Sequence, residues 1–441
     1  MDDKVLQKSV LKDYGETVVT ANSSTSYTID LTEGNVFDIT LTGNCAFTFA
    51  NPPASGVAGS FTLLLKQDAT GSRTATWPSA VAWLGGSEPT LSTTGSQMDI
   101  LTFTTVDEGS TWYGAVVAQG YVLPSGRYIA VVNTTSSPFF TLLDHTTPGA
   151  ISLATTYTLA GSGYGTAFSP DGNYIAVGHA VNSRFTLLDH TTPGAVSLAT
   201  TYTLSGTAYT TSFSPDGNYI AVGHAVNSRF TLLDHTTPGA ISLATTYTLP
   251  GNAYATPFSP DGNYIAVGHA GSPYFTLLDH TTPGSVSLAT TYTLVNTVNG
   301  ISFSPDGNYI ATVYSSSPYF TLLDHTTPGS VSLATTYILP NTGRGVAFSP
   351  DGNYIATGHT GSPYFGLLDH TTPGSVSLVA SYTLSSTSYN IEFSPDGNYI
   401  AVGHAGSPYF TLLDHTTPGA ISLAATYTIN NTGRGVSFSP N

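Results

Sequence analysis

The sequence predicts an all-β chain in two parts, a β-sandwich over residues 13–118 and a seven-bladed β-propeller over 119–441 closed by its own last strand. Composition is the first reason. Gly, Thr, Ser, Tyr and Pro are plentiful, and only 8 % of the 441 residues are charged. Residues that favour pleated strands and tight turns dominate, and the strong helix formers are scarce. A break in residue usage is the second. Lys4, Lys8, Lys12 and Lys66 and the three tryptophans precede residue 120, whereas all twelve histidines follow it. The third is a repeat: the Asp of SPDG recurs at 171, 216, 261, 306, 351 and 396, a spacing of 45, and a looser copy, LPSGRYIAVV, starts at Leu123. Units of about 40–45 residues with four short β-runs each are what propeller blades require, and no helical periodicity competes with that reading.

The elements follow in order. Residues 1–12, MDDKVLQKSVLK, place Val5, Leu6, Val10 and Leu11 on a short apolar stripe and are read as an attachment segment. Residues 13–118 alternate in the period of two expected of strands, roughly eight of them, with NPPASG and EGST as turns. Trp77, Trp83 and Trp112 lie inside those strand patterns and are read as core. In the repeat, YGTAFS is a first strand, PDGN a turn, YIAVGH a second strand, FTLLDH a third, TTPGA a turn and LATTYTL a fourth. LLDH occurs seven times, ending at His145, His190, His235, His280, His325, His370 and His415, which gives seven blades. The final stretch, GRGVSFSPN, repeats a first strand alone. It is expected to complete the first blade; the other reading, a truncated eighth blade, leaves an unpaired edge.

Bulk properties exclude several classes. A net charge of −16 argues against nonspecific nucleic-acid binding, which needs clustered Lys and Arg. No apolar run is long enough to span a membrane, so no membrane insertion is expected. No basic segment precedes an apolar one at the start of the chain, so no secretory signal is expected. Cys45 is the only cysteine, so no internal disulfide forms and folding is independent of redox compartment.

FSPDGNYIAVGH followed by FTLLDHTTPG resembles a WD-repeat or YVTN-type propeller blade over about 120–441, with LD where such blades carry Trp-Asp. The missing tryptophan leaves that family's side-chain hydrogen-bond tetrad unassigned. The resemblance implies that the SPDG strand is innermost. The PDGN and HTTPG turns then open on one rim, and the second-to-third loops and interblade links on the other. The first rim is repeated almost letter for letter. The second varies from blade to blade, in the links (AGSGYGTA, SGTAYTTS, PGNAYATP and so on) and in the loops (TTSSPF, AVNSR, AGSPY, SSSPY and TGSPY). Variation confined to one rim marks it as the working face.

Two equivalent positions on that rim are candidate ligand-binding sites. One holds Tyr164, Tyr209, Tyr254, Asn299, Arg344, Tyr389 and Arg434, and the other Phe139, Arg184, Arg229, Tyr274, Tyr319, Tyr364 and Tyr409. Tyr and Arg dominate binding hot spots, and the flat face of Tyr suits a sugar ring. The competing reading is that these are strand-end residues that only pack.

Thirteen of the propeller's fourteen acids belong to the two repeated motifs and are read as turn-bonding groups. Glu392 is the exception; lacking a second carboxylate partner, it could bind a hydroxyl but could not act as a typical glycosidase alone. Five of the histidines end second strands (His179, His224, His269, His359 and His404), with Tyr314 breaking the series. Equivalent positions on neighbouring blades are about 10 Å apart, too far to share one zinc, so no metal is expected. With no phosphate loop, nucleophile elbow or CxxC pair, no cofactor and no enzymatic activity are expected.

The stretches LTGNCAFTFANPPASGVAGSFTLLL, TATWPSAVAWLGG, PTLSTTGSQMDILTF and STWYG resemble a domain recurrent in bacteriophage tail and fibre proteins. That implies a virion structural protein, a tail-fibre or spike component on the particle surface and made in the bacterial cytoplasm. It implies attachment to other virion proteins through the N-terminal part and homo-oligomers, often trimers, and supplies no catalytic residue. The expected function is presentation of the variable rim to a host cell-surface polysaccharide or protein. A purely structural decoration or spacer, a polysaccharide-degrading spike, and a bacterial surface protein with a borrowed domain are the alternatives.

Overall fold

The computed structural model describes residues 16–68, 71–93, 97–122, 128–180, 184–225 and 228–440. The expected attachment segment 1–12, Arg127, and parts of two rim loops (181–183 and 226–227) lie outside them. The chain forms two compact units, Met1–Leu123 and Pro124–Asn441.

Among the described residues the first unit holds nine strands: β1 (Val18–Asn22), β2 (Ser26–Asp30), β3 (Val36–Leu41), β4 (Cys45–Ala50), β5 (Gly59–Gln67), β6 (Ala75–Thr76), β7 (Val81–Trp83), β8 (Gln97–Thr105) and β9 (Trp112–Val122). They make a six-stranded sheet, β1-β3-β5-β8-β9-β7, and a three-stranded one, β2-β4-β6. Through β6 the chain alternates between the sheets, so β1, β3 and β5 run parallel, as do β2, β4 and β6. Three coils therefore wind around one core before β5, β8 and β9 continue the large sheet antiparallel, and β7 ends it parallel to β9. Strict alternation puts Phe61, Leu63 and Leu65 of β5 inside with Leu101 and Phe103 of β8. Trp77 stacks on Phe47 at 5.1 Å, and Trp112 and Trp77 are buried with Trp83 packed beside them, core residues as expected, although Trp77 follows β6 instead of lying within a strand. NPPASG and EGST both lie outside strands.

The second unit is seven four-stranded antiparallel sheets. Gly433–Phe438 pairs with Tyr128–Asn133, Ile129 opposite Phe438 and Val131 opposite Val436, so the last strand is the innermost strand of the first blade. The ring is closed, with seven blades among the described residues. Second strands such as Tyr174–His179 are buried at every residue, because a neighbouring blade covers each face. Outermost strands such as Ser197–Thr203 are Thr-rich and largely exposed, and each carries a register shift against its neighbour. Such bulges twist a sheet edge and blunt strand addition.

The repeated words are structural. Asp171 accepts bonds from the Ser169 hydroxyl and from the backbone and side-chain N–H groups of Asn173, which fixes the PDGN turn. Asp189 accepts from the backbone N–H and hydroxyl of Thr191. His190 bonds the Gly172 carbonyl through Nδ1 at 2.9 Å and packs edge-on against Tyr128 of the preceding blade. The phenol of that tyrosine lies over Gly194, whose φ of +77° suits the turn to glycine. His145 meets Tyr399 and Phe438 in the same way where the ring closes. The second-strand histidines serve a different bond: His179, His224, His269 and His404 each reach a third-strand threonine hydroxyl at 2.8–3.0 Å. The Tyr314 hydroxyl makes the equivalent bond to Thr321 in a blade where tyrosine replaces the histidine.

Candidate functional site: the mouth of the central channel

The seven innermost strands enclose a channel of about 1070 Å³. Tyr164, Tyr209, Tyr254, Asn299, Arg344, Tyr389 and Arg434 all line it, each half-buried. They do not lie in the interblade links, where the sequence places them. Each is the second residue of its innermost strand, and there the ladder skips one residue. Gly163 pairs with His179 and Gly165 with Gly178, leaving Tyr164 unpaired. The same skip leaves out Tyr209, Tyr254, Asn299, Arg344, Tyr389 and Arg434. An extra residue in one strand re-aims its side chain, and seven bulges at one height build a ring of seven variable side chains around one opening. Small residues beside the bulges make room; a Cβ on Gly165 would come within 2.8 Å of Thr210 Cα.

The ring is asymmetric. Tyr164 stacks on Tyr209 at 4.4 Å, and Tyr254 meets Tyr209 edge-on at 5.5 Å, giving an aromatic arc on three consecutive blades. Opposite, on three further consecutive blades, the Arg434 guanidinium lies 3.8 Å above the Tyr389 ring, with Arg344 on the other neighbour of Tyr389. Asn299 stands between the arcs and bonds Ser315 and the Gly343 carbonyl.

The second candidate set is not part of this lining. Phe139, Tyr274, Tyr319, Tyr364 and Tyr409 open third strands with φ between +65° and +73°. Bulky residues rarely adopt that conformation; here a backbone bond three residues back holds it, 2.7 Å from Tyr274 to Gly271 for example. Their rings lie half-buried against the blade cores. Arg184 and Arg229 occupy the same position in their blades and are exposed. The structure thus brings together the first set and leaves the second around it, outside the channel.

Glu392 lies deeper in the channel and is its only lining acid among the described residues. The Phe438 N–H and the Ser437 hydroxyl bond its carboxyl, linking adjacent innermost strands, but burial dominates and pushes it up to about 8. Ser302 and Ser437 at the equivalent position likewise accept N–H bonds from the next blade. Since the carboxyl ionises near 4.5 when unfolded and near 8 when folded, the folded chain binds the extra proton between those values and loses stability as pH rises through them. Such a shift amounts to a few kcal/mol, reduced by the water that reaches the channel. Glu392→Gln is therefore expected to raise stability by about 2 kcal/mol at pH 8 and by nothing at pH 4, read from urea unfolding at both pH values.

Residues 25–110 match a family described as "Putative phage tail fibre C-terminal domain", and residues 288–332 match "WD domain, G-beta repeat". No curated protein matches the chain. Among solved structures, the chain is similar to a putative 6-phosphogluconolactonase from Bacteroides uniformis ATCC 8492, with 13 % identity over 70 % of this chain and 98 % of that one and a TM-score of 0.65. It is similar to the periplasmic gluconolactonase of Pseudomonas aeruginosa, with 15 % identity, 69 % and 97 % coverage and a TM-score of 0.62. It is also similar to the Cps50 (Swd1) β-propeller domain of Myceliophteria thermophila, with 14 % identity, 65 % and 92 % coverage and a TM-score of 0.52. At these identities the likeness shows the fold alone. It nonetheless corrects the expectation that the chain is not an enzyme. That expectation rested on missing motifs, whereas similar propellers bear lactonase names and this channel holds a carboxyl of raised pKa. The tail-fibre match and the propeller fit a phage structural protein.

Proposed function

We propose that the protein is a virion component that presents its propeller to the host surface, and that the mouth of the central channel binds a surface glycan. The observation that carries this is the ring of seven bulged residues. The scaffold repeats almost unchanged, while the side chains its bulges direct to one opening vary among Tyr, Arg and Asn around the ring. Stacked tyrosines and free guanidinium edges suit sugar rings and their substituents. Attachment to the particle belongs in this reading to the first unit, which carries the tail-fibre match, and the assembled form is a homo-oligomer, with a trimer expected by light scattering.

The test is binding of fluorescently labelled full chain to a panel of bacterial cells and to a glycan array. Tyr164→Ala with Tyr254→Ala is expected to weaken binding at least tenfold, since each stacked aromatic contributes on the order of 1 kcal/mol or more, without changing the melting temperature by more than a few degrees. Unchanged binding in a folded variant removes the mouth from the site, and absence of binding to any cell or glycan leaves the propeller as decoration. A second reading, hydrolysis of a bound saccharide or sugar lactone, is favoured by the protonated Glu392 in the channel, since a carboxyl ionising near 8 can serve as a general acid. New reducing ends or lactone opening that Glu392→Gln abolishes would establish it.

A further inference from the structure

We infer that the glycan bound at the channel mouth is acidic, a saccharide whose carboxylate is held between Arg344 and Arg434 while its ring lies against the tyrosines of the opposite arc. The inference rests on the glycan-binding reading above and specifies its ligand.

The two arginines are out of place in this protein. The chain carries a net charge of −16, and its propeller has five arginines and no lysine. Two of those arginines sit half-buried at one opening, on either side of Tyr389. The two ion pairs among the described residues, Lys66 with Asp38 and Arg73 with Asp68, are both in the first unit. Among the described residues no carboxylate therefore pairs with Arg344 or Arg434, and the Nε of each is buried without a hydrogen-bond partner. A buried, unpaired guanidinium N–H is costly unless an acceptor arrives, and a planar fork of donors matches a carboxylate bidentately. The one acid in the channel does not supply that acceptor as an anion, because burial keeps Glu392 protonated at neutral pH.

The opposite arc supplies the complementary half. Beneath the tyrosines, Thr166, Thr211 and Thr256 lie along the channel on the same three blades, their hydroxyls buried and without hydrogen-bond partners. Arg434 and Tyr164 stand at the starts of adjacent innermost strands, so close that a Cβ on Gly435 would come within 2.9 Å of the Tyr164 carbonyl, which brings the two arcs together on that side of the opening. A neutral glycan would leave the guanidinium edges unsatisfied. An acidic one satisfies them and is drawn to a positive opening in an otherwise negative wheel.

The test uses the full chain and three carboxylated probes: oligogalacturonate, hyaluronan fragments and oligomers of N-acetylneuraminic acid. Each is titrated by calorimetry beside its methyl ester, which keeps the sugar and removes the charge. At least one acid form is expected to bind saturably, at least tenfold more tightly than its ester, with affinity falling as salt rises. Arg344→Gln with Arg434→Gln should abolish that preference, and Arg344→Lys, which keeps the charge, should retain part of it. A glycerol-phosphate polymer that binds while all three carboxylated probes fail would overturn the carboxylate assignment, as would no saturable binding of any acid form. Equal binding of acid and ester, lost in Tyr164→Ala, would overturn the acidic ligand while leaving glycan binding standing. Loss of all glycan binding in the wild-type chain would overturn both.

Discussion

Deletion of residues 432–441 is expected to abolish the cooperative unfolding of the propeller while leaving the first unit folded. Those residues include the innermost strand of the first blade. Val436 and Phe438 are buried in a cluster with Ile129 and Val131 of that blade and with Tyr399, Phe410 and Leu412 of the last one. The same strand pairs with Tyr128–Asn133, and Ser439 closes the pairing with a 2.8 Å bond to the Tyr128 carbonyl. Burial of one such side chain stabilises by roughly 1.5–3 kcal/mol, and the backbone groups left unpaired at the exposed edge add to the loss. The sum is a large part of the roughly 5–15 kcal/mol that holds a typical domain together. Phe438→Ala alone is expected to cost about 3 kcal/mol. The two units can be followed separately, because all three tryptophans lie in the first: tryptophan emission reports that unit and far-ultraviolet dichroism the whole. A truncated chain that melts at the wild-type temperature and keeps the wild-type oligomeric state would show that the ring does not depend on this closure.

The second large effect is loss of propeller stability between pH 6.5 and pH 4. His179, His224, His269 and His404 are buried at the ends of second strands, and burial pulls each from 6.5 down to about 4. Below 6.5 the unfolded chain takes up protons that the folded chain refuses, so stability is full above 6.5 and falls with falling pH until the folded values are reached. Each histidine contributes about 3 kcal/mol across that window, so four together amount to on the order of 10 kcal/mol. Glu392 runs the other way between pH 8 and 4.5 and offsets part of this. The turn aspartates whose carboxyls are held low, such as Asp189, add to the loss only at lower pH, as their own values are passed. The chain already contains the relevant substitution, because Tyr314 bonds Thr321 where His179, His224, His269 and His404 bond their own threonines. His224→Tyr should therefore fold at pH 7 and flatten the acid slope by the equivalent of one proton. Urea unfolding at pH 7.0, 5.5 and 4.5 measures it, and a slope that is the same in variant and wild type would place the acid sensitivity elsewhere.

The blades could be read from the sequence because their turns are written in residues with few uses. PDGN and TTPG mark where each strand stops, and the buried YIAVGH run marks the strand covered on both faces. Closure followed from an unpaired first strand at the end of the chain. The positions of Tyr164 and its six counterparts were less legible. In AGSGYGTA, glycines surround the aromatic and imitate a loop, and a bulge breaks the alternation that would have marked a strand. The sequence therefore identified which residues vary together and not that one opening gathers them. It also grouped Tyr274 and its counterparts with them because both sets lie near the same rim. What separates the two sets is backbone direction: an inward bulge for one, and a left-handed residue turned against the blade core for the other. In the first unit, two sheets around one core were legible from alternation, but the parallel winding was not. Coils that pass from sheet to sheet lack the short hairpin turns that announce strand order. Glu392 stood out as an acid outside the motifs, while its raised pKa comes from burial in the channel, which no local pattern reveals.

The central claim is that the opening ringed by the bulged residues is where the protein meets its ligand. Hydrogen–deuterium exchange of the full chain, alone and bound to purified host surface polysaccharide, tests this most directly. The account predicts protection at the start of the innermost strands, around Tyr164, Tyr209, Tyr254, Arg344 and Arg434, with the PDGN and HTTPG turns unchanged. Protection at those turns or on the outer Thr-rich strands, with the channel mouth exchanging as in the free protein, would contradict it.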